Sequence, residues 1–188
     1  MDEIVSLTEQ LRRFSKGDQD IAEAVFRAVY PKLRDIASRS LKPHERRTGL
    51  ISTGDLVHEV WLAHLRKGGF EVKDQGHFYS IASRAMRQVL VDLARRRLTR
   101  RRGDGEVPTS LSGTAVQFAD GTASPETVVA MGLLLEKLEH SKPEAVKVFD
   151  MHAVAGLTFE EIAEATGLKV RQVRYLWTKA QNWLKDHL

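Results

Sequence analysis

Between Thr158 and Lys179 the chain carries two short helical patterns separated by one glycine, and few folds accept that arrangement. Thr158-Phe-Glu-Glu161 has the spacing of a capping box, in which a threonine hydroxyl and a glutamate carboxylate satisfy each other's free backbone N–H groups. Gly167 supplies the positive φ that ends a first helix near Ala165. Leu168 is expected to plug the core behind the turn. Val170, Val173, Trp177, Ala180 and Leu184 then recur at i, i+3, i+7, i+10 and i+14, one stripe of a second helix. Ile162 and Ala163 face inward, and Ala163 is small where two helices cross closely. The outer face keeps Arg171, Gln172, Arg174, Tyr175, Thr178 and Lys179. This pattern predicts a helix-turn-helix, whose second helix enters the major groove of DNA. Arginine and glutamine pair bidentately with guanine or adenine edges, while lysine and tyrosine suit phosphates. A solvated amphipathic hairpin shares the periodicity, but not the turn glycine, small crossing residue and basic outer face together. Lys169 stands where a capping Ser or Thr is usual, which predicts a less well held start for the second helix.

The rest of the chain reads as helix throughout. Asp20-Ile-Ala-Glu23 has a start signal, and Ile21, Val25, Val29, Leu33, Ile36 and Leu41 follow at helical spacing. Pro31 lies inside this run and is expected to kink or split it. A second helix is predicted from about Gly54 to Lys67, with Leu56, Val57, Val60, Trp61 and Leu65 on its apolar side. A third begins near His77, where Phe78, Ile81, Ala85, Val89 and Leu93 form the buried stripe and Arg84, Arg87, Gln88 and Arg95 lie away from it. Val128 to Leu138 is a further helix. Ser141-Lys-Pro-Glu144 reads as a capping box that opens another, to about Val154, with Gly156 ending it. No stretch alternates as a strand would. The expected fold is all-α: residues 1–102 as one small helical domain, 126–188 as another carrying the helix-turn-helix, and 103–125 as a flexible acidic linker rich in Gly, Ser, Thr and Pro.

Charge distribution and exclusions narrow the function. Arg84 to Arg102 holds eight arginines and one acid, Asp92, whereas Gly103 to Pro125 has no Lys or Arg and contains Asp104, Glu106 and Asp120. A basic stripe on one element is the electrostatic footprint of a nucleic-acid binder. The chain has no cysteine, so disulfides and thiolate metal sites are excluded. The N-terminus lacks the apolar core of a secretory signal, and the longest apolar run, Val128 to Leu135, is too short to span a bilayer. A cytoplasmic protein is expected, with no membrane partner. His58-Glu59 begins a zinc-protease pattern, but the second histidine would have to stand where Leu62 does. No phosphate-binding glycine loop or nucleophile motif is present, so no enzyme, metal or cofactor is expected.

Together these patterns resemble the extracytoplasmic-function sigma factors, the minimal form with only the second and fourth sigma domains. Asp55-Leu-Val-His-Glu-Val-Trp-Leu62 resembles the family's docking helix for the β′ clamp helices of core RNA polymerase. His77-Phe-Tyr with Arg84, Gln88, Asp92 and Arg95 resembles the promoter-melting helix, where asparagine is usual at the position of Gln88. Gly156-Leu-Thr-Phe-Glu-Glu-Ile-Ala163 resembles the fourth-domain signature. Ala85-Met-Arg-Gln-Val-Leu-Val-Asp92 is similar to one subgroup's sequence. The resemblance implies promoter-specific transcription initiation, with the β flap as a further polymerase contact. It implies −35 reading by Arg171, Gln172, Arg174, Tyr175 and Lys179, and −10 tracking by Arg84, Arg87, Gln88, Arg95 and Arg96. It implies polymerase docking by Asp55, Leu56, His58, Glu59 and Trp61, and a loop from Gly68 to Gly76 that holds an unstacked base. Phe70, Phe78 and Tyr79 beside that loop are aromatic faces for the base, or else core and cap. The linker's acids would mimic nascent RNA or serve as a plain tether. A helix-turn-helix regulator acting without polymerase is the alternative, and the N-terminal half distinguishes the two.

One departure from the family pattern bears on regulation. Members usually begin the docking helix with Asp-Ala-Glu-Asp; here Ser52-Thr53-Gly54-Asp55 lacks two of the acids. Ser52 and Asp55 have capping-box spacing, which explains the residues structurally. A subgroup lacking the acidic cluster is switched on by threonine phosphorylation, and the resemblance therefore implies a Ser/Thr protein kinase acting on Thr53, or on Ser52.

Overall fold

The computed structural model describes residues 6–41, 51–66, 71–103 and 124–187, with the side chains of 100–103 excepted. Among them are eight helices and no strand. The N-terminal half contains α1 (Leu7–Ser15), α2 (Ala22–Ser40), α3 (Thr53–Val60, continuing as a π-helical turn over Trp61–Leu65) and α4 (Gln75–Gly103). The C-terminal half contains α5 (Pro125–Ser141), α6 (Pro143–Phe149, continuing as a π-helical turn over Asp150–Val154), α7 (Phe159–Thr166) and α8 (Val170–Lys185). Most of the predicted linker, residues 104–123, lies outside the described residues.

Local chemistry explains most boundaries. At α3, Ser52 Oγ accepts from the Asp55 N–H at 3.1 Å and Asp55 Oδ2 accepts from the Ser52 N–H at 3.0 Å, so the capping box is complete. Those bonds to Ser52 hold the Asp55 carboxyl below the usual carboxylate range. Thr158 and Glu161 close the same box on α7 at 3.1 and 2.8 Å. Gly167 then turns the chain at φ 72°. Helix α8 has half a box: Gln172 Oε1 accepts from the Lys169 N–H at 2.9 Å, but lysine offers no acceptor in return.

Three expectations are corrected, and one element was missed. Helix α1 fell outside the predicted patterns; Ser6 caps it by accepting from the Glu9 N–H at 3.3 Å. Helix α2 has Ile21 as its N-cap with no side-chain cap bond, so Asp20 does not start it. It runs unbroken through Pro31, whose missing N–H removes one intrahelical bond without ending a helix held by Val25, Val29, Leu33 and Ile36 in the core. Ser141 is the last residue of α5 and not a cap; its hydroxyl donates to the Leu138 carbonyl, and Pro143 opens α6 without a side-chain cap.

One core runs through both halves. Phe14, Leu33, Leu56, Trp61, Phe78 and Met86 belong to the same buried cluster as Met131, Leu135, Phe149, Ile162, Val173 and Leu184. Helix α4 makes the junction: it packs on α5, on the π-helical turn of α6 and on α7. Two glycines mark the closest approaches. A Cβ on Gly132 would lie 2.7 Å from Val91 Cγ2, and one on Gly76 would lie 2.2 Å from the Ala165 carbonyl oxygen. The end of α2 joins in, with Ser40 Oγ donating to the Val154 carbonyl at 2.6 Å and Arg39 Nη1 to the Gly156 carbonyl at 2.9 Å.

Candidate nucleic-acid interface

Helices α7 and α8 cross on Ile162, Ala163 and Val173, all buried, with Ala180 and Leu184 continuing the inner stripe of α8. Trp177 stacks on Phe149 at 5.5 Å between ring centroids and meets His152 edge-on at 4.6 Å. These contacts fix the rotation of α8 and turn the predicted outer residues to solvent. Arg171, Gln172, Arg174 and Tyr175 are exposed, Tyr175 at 62%, and Lys179 is half-buried. Gln172 spends its side-chain oxygen on the Lys169 N–H. Arg174 lies 3.5 Å from Glu160 and over the Phe159 ring at 5.6 Å. The Lys179 ammonium sits over the Tyr175 ring at 5.3 Å. The face therefore offers cations held on aromatic planes, a suitable chemistry for phosphates and base edges.

The predicted stripe on α4 divides. Arg95 and Arg96 are exposed, Arg95 pairing with Asp92 at 3.1 Å. Gln88 is half-buried. Arg84 is exposed but pairs with Glu139 of α5 at 3.2 Å. Arg87 corrects the expectation that it lies away from the core: it is 1% exposed, and its Nε donates to Asp150 Oδ1 at 2.7 Å. A helical pattern read alone places Arg87 opposite the Phe78 stripe, and that opposite side is covered by α5 and α6. Asp150 is itself buried, and burial pushes its carboxyl up to about 6 against the opposing pull of the Arg87 guanidinium. The π-helical turn at Asp150–Val154 sets this aspartate against α4. Arg87 Nη2 is buried without a hydrogen bond, with Glu139 Oε2 3.7 Å away.

The base-holding loop is only partly described, since Gly68, Gly69 and Phe70 lie outside the described residues. Phe78 is fully buried in the core, so it offers no face to a base. Tyr79 is half-buried and borders a cleft between the halves, lined also by Asp74, Glu161, Glu164 and Lys32.

On α3 the docking residues split by face. Leu56 and Trp61 are core residues, which corrects their assignment to a docking surface. Trp61 stacks on Phe14 at 5.2 Å and packs against Phe26. Asp55, His58 and Glu59 are exposed, and His58 contacts Phe26 edge-on. Leu62, 52% exposed one turn further on, completes that face and was not among the predicted residues. Its apolar side chain beside His58 and Glu59 was the signal available. Ser52 is exposed and committed to the cap, and Thr53, the first helical residue, is half-buried.

Among the described residues no group of three potential ligands could hold a metal ion, and no helix is long and apolar enough to cross a membrane. A family model described as ECF sigma factor matches residues 4–188. No curated protein and no solved structure matches the chain.

Proposed function

The chain belongs to the ECF sigma factor family, and from that premise we propose how its two halves divide the work. Members of the family are transcription initiation factors and not enzymes; they bind core RNA polymerase and promoter DNA. In our reading residues 126–188 are the fourth sigma domain, a helix-turn-helix that reads the −35 element through Arg171, Gln172, Arg174, Tyr175 and Lys179. Residues 1–102 are the second domain. Its α4 tracks the −10 strand through Arg84, Gln88, Arg95 and Arg96, with Arg87 joining when it is uncovered. Asp55, His58, Glu59 and Leu62 form the surface for the β′ clamp helices, and residues 103–125 connect the halves. The observation that carries this reading is the outer face of α8, where the arginines and Tyr175 point to solvent from a helix locked by its inner stripe.

Transcription reconstituted from core polymerase, a cognate promoter and the full chain tests it. Arg171→Ala should lose promoter-specific transcripts while leaving the helical content unchanged, since a lost base contact costs about 1–3 kcal/mol. Normal transcription by that variant would overturn the face assignment.

Regulation by a Ser/Thr protein kinase belongs to the same reading. With the Ser52 hydroxyl engaged in the cap, Thr53 is the better acceptor. A phosphate there adds about −1.5 to −2 charge at a helix N-terminus, where the dipole favours it, and replaces the missing acids. Unmodified protein should bind core polymerase weakly and the phosphorylated form tightly. Tight binding by unmodified wild type, unchanged in Thr53→Ala, would refute the switch.

A further inference from the structure

Two of the arginines that α4 would offer to a promoter strand, Arg84 and Arg87, are already paired with carboxylates of the C-terminal half, while Arg95 and Arg96 stay exposed. Glu139 of α5 sits 3.2 Å from Arg84 and Asp150 of α6 sits 2.7 Å from Arg87, as phosphates would on a bound strand. The cleft beside Tyr79 is walled by Asp74, Glu161 and Glu164 against one lysine, Lys32, so it repels a polyanion. We propose that this packing is an autoinhibitory latch, in which Glu139 and Asp150 hold the C-terminal half on the −10 face of α4 until the halves part. The proposal rests on the reading of α4 as the strand-tracking helix.

Size requires such a parting. A chain of 188 residues packed as one body has a radius of gyration of ~16 Å and is on the order of 40 Å across. Promoter elements about 25 base pairs apart are separated by ~85 Å of duplex. The packed arrangement therefore cannot reach both elements, and the arrangement that binds a promoter must be a different one.

The seam is specific, and it can be released. Gly132 lies inside α5, where glycine is unfavourable, and its reason is visible: the Val91 side chain occupies the space of a Cβ. Gly76 gives the same close approach to the backbone at Ala165. Both glycines serve contacts between the halves. At the same seam Arg87 Nη2 is buried without a hydrogen bond, so opening returns an unsatisfied donor to water or to a phosphate. That donor favours release, whereas a fully satisfied pair would resist it.

A disulfide across the seam tests the latch in a chain that has no cysteine of its own. The Cβ position of Gly132 is 3.5 Å from Val91 Cβ, within the range a disulfide spans. Val91→Cys with Gly132→Cys should therefore cross-link on oxidation, giving a faster band on a non-reducing gel. The oxidised full chain should bind a −10 single strand and support transcription with core polymerase at least tenfold less well than the reduced chain, as expected if the cross-link cuts the open fraction to under ~10% of its value in the reduced chain. Reductant should restore both. Two variants should act oppositely: Gly76→Ala, which places a methyl group against backbone, and Glu139→Gln, a partly exposed change that spares the fold. Each should enlarge the chain in small-angle scattering and strengthen strand binding. Failure of the cysteines to cross-link would overturn the latch, as would an oxidised chain as active as the reduced one. Unchanged scattering and strand binding in both Gly76→Ala and Glu139→Gln would do so too. Arg95→Ala with Arg96→Ala in the reduced chain separates the two readings. If these changes leave strand binding intact, the tracking role of α4 fails; if they weaken it while the cross-link does not, the latch alone fails.

Discussion

Arg87 on α4 and Arg171 on α8 both stand on basic faces of helices, and their surroundings are opposite. Arg171 projects into solvent from a helix whose inner stripe is Val173, Ala180 and Leu184. Arg87 is buried, with Asp150 on its Nε and α5 and α6 across it. Helix α8 shows solvent one face that its own periodicity defines. Helix α4 is covered on two sides, because a second set of helices packs where a wheel drawn from its sequence leaves charge. A basic stripe thus marks where a polyanion could bind, while exposure depends on what else in the chain carries the opposite charge.

The largest difference between the two arginines should appear in stability. Asp150→Ala leaves the Arg87 guanidinium buried without its closest counter-ion, which costs the packed arrangement about 3–5 kcal/mol. It should read as a lower denaturation midpoint or as parting of the halves in scattering. Arg171→Ala should move the midpoint by less than about 0.5 kcal/mol. Replacing the pair together, Arg87→Met with Asp150→Leu, should recover most of the loss, because a buried ion pair exchanges for apolar groups at little net cost. Equal, small effects of Asp150→Ala and Arg171→Ala would mean that Arg87 is solvated and the contrast does not hold in solution.

Promoter affinity should rank the arginines within α8. Arg174 already contacts Glu160 and lies over Phe159, so part of its interaction energy is present before DNA arrives. Arg171 makes no such contact among the described residues. Arg171→Ala should therefore cost about 1–3 kcal/mol in promoter binding, and Arg174→Ala less. Titrations at several salt concentrations separate their roles, since loss of a phosphate contact lowers the salt slope by about 1 whereas loss of a base contact leaves it unchanged.

Much of this architecture was legible in local sequence because local chemistry decides it. Ser52/Asp55 and Thr158/Glu161 close their boxes through bonds between residues three apart, and Gly167 turns because only its own φ is involved. The stripe Val173, Ala180 and Leu184 follows from one period. What escaped depends on distant partners. Leu56 and Trp61 lie on the apolar side of the predicted helix, and the family resemblance gave them a docking role; α1 and α2 bring Phe14 and Phe26 against Trp61, and both residues are buried. Helix α1 itself carried a legible cap in Ser6 and Glu9. The burial of Arg87 had one trace in sequence: Asp150, the one acid among Val146, Val148, Phe149, Met151, Ala153 and Val154, where an unpaired carboxylate could not stay charged.

The pH dependence of stability should expose the same carboxylate. Asp150 is raised to about 6 when packed and returns to the ordinary carboxylate range when released. The packed state therefore binds the proton more tightly, and the stability this contributes is full below about pH 4 and lost as pH rises through about 6. The charges facing it are Arg87, Arg84 and Glu139, from α4 and α5. His77 tilts the other way: burial lowers it, so its contribution is present above its ordinary value near 6.5 and falls as pH drops below that. The two groups therefore act in opposite directions across a shared window below about pH 6.5. Asp150→Asn removes one of them, and its stability relative to wild type should improve as pH rises across the window. A constant difference would mean that Asp150 does not titrate there.

The smallest effect concerns the two helix starts of the C-terminal half. Thr158 holds α7 with a side-chain oxygen on the Glu161 N–H, whereas Lys169 leaves the corresponding N–H of α8 without a side-chain acceptor. Thr158→Ala should therefore cost about 1 kcal/mol, and Lys169→Thr should stabilise by a similar or smaller amount. Gln172 already supplies the reciprocal bond, so threonine at 169 would complete the box with no other change. The same substitution deletes a cation at the N-terminal end of the helix that would enter the groove. If Lys169 contacts a phosphate, Lys169→Thr should raise the denaturation midpoint, weaken promoter binding and lower its salt slope by about 1. A lysine retained at the cap would then be explained by DNA affinity gained at the expense of helix stability. Stabilisation with unchanged DNA affinity would leave Lys169 without a role on the DNA face.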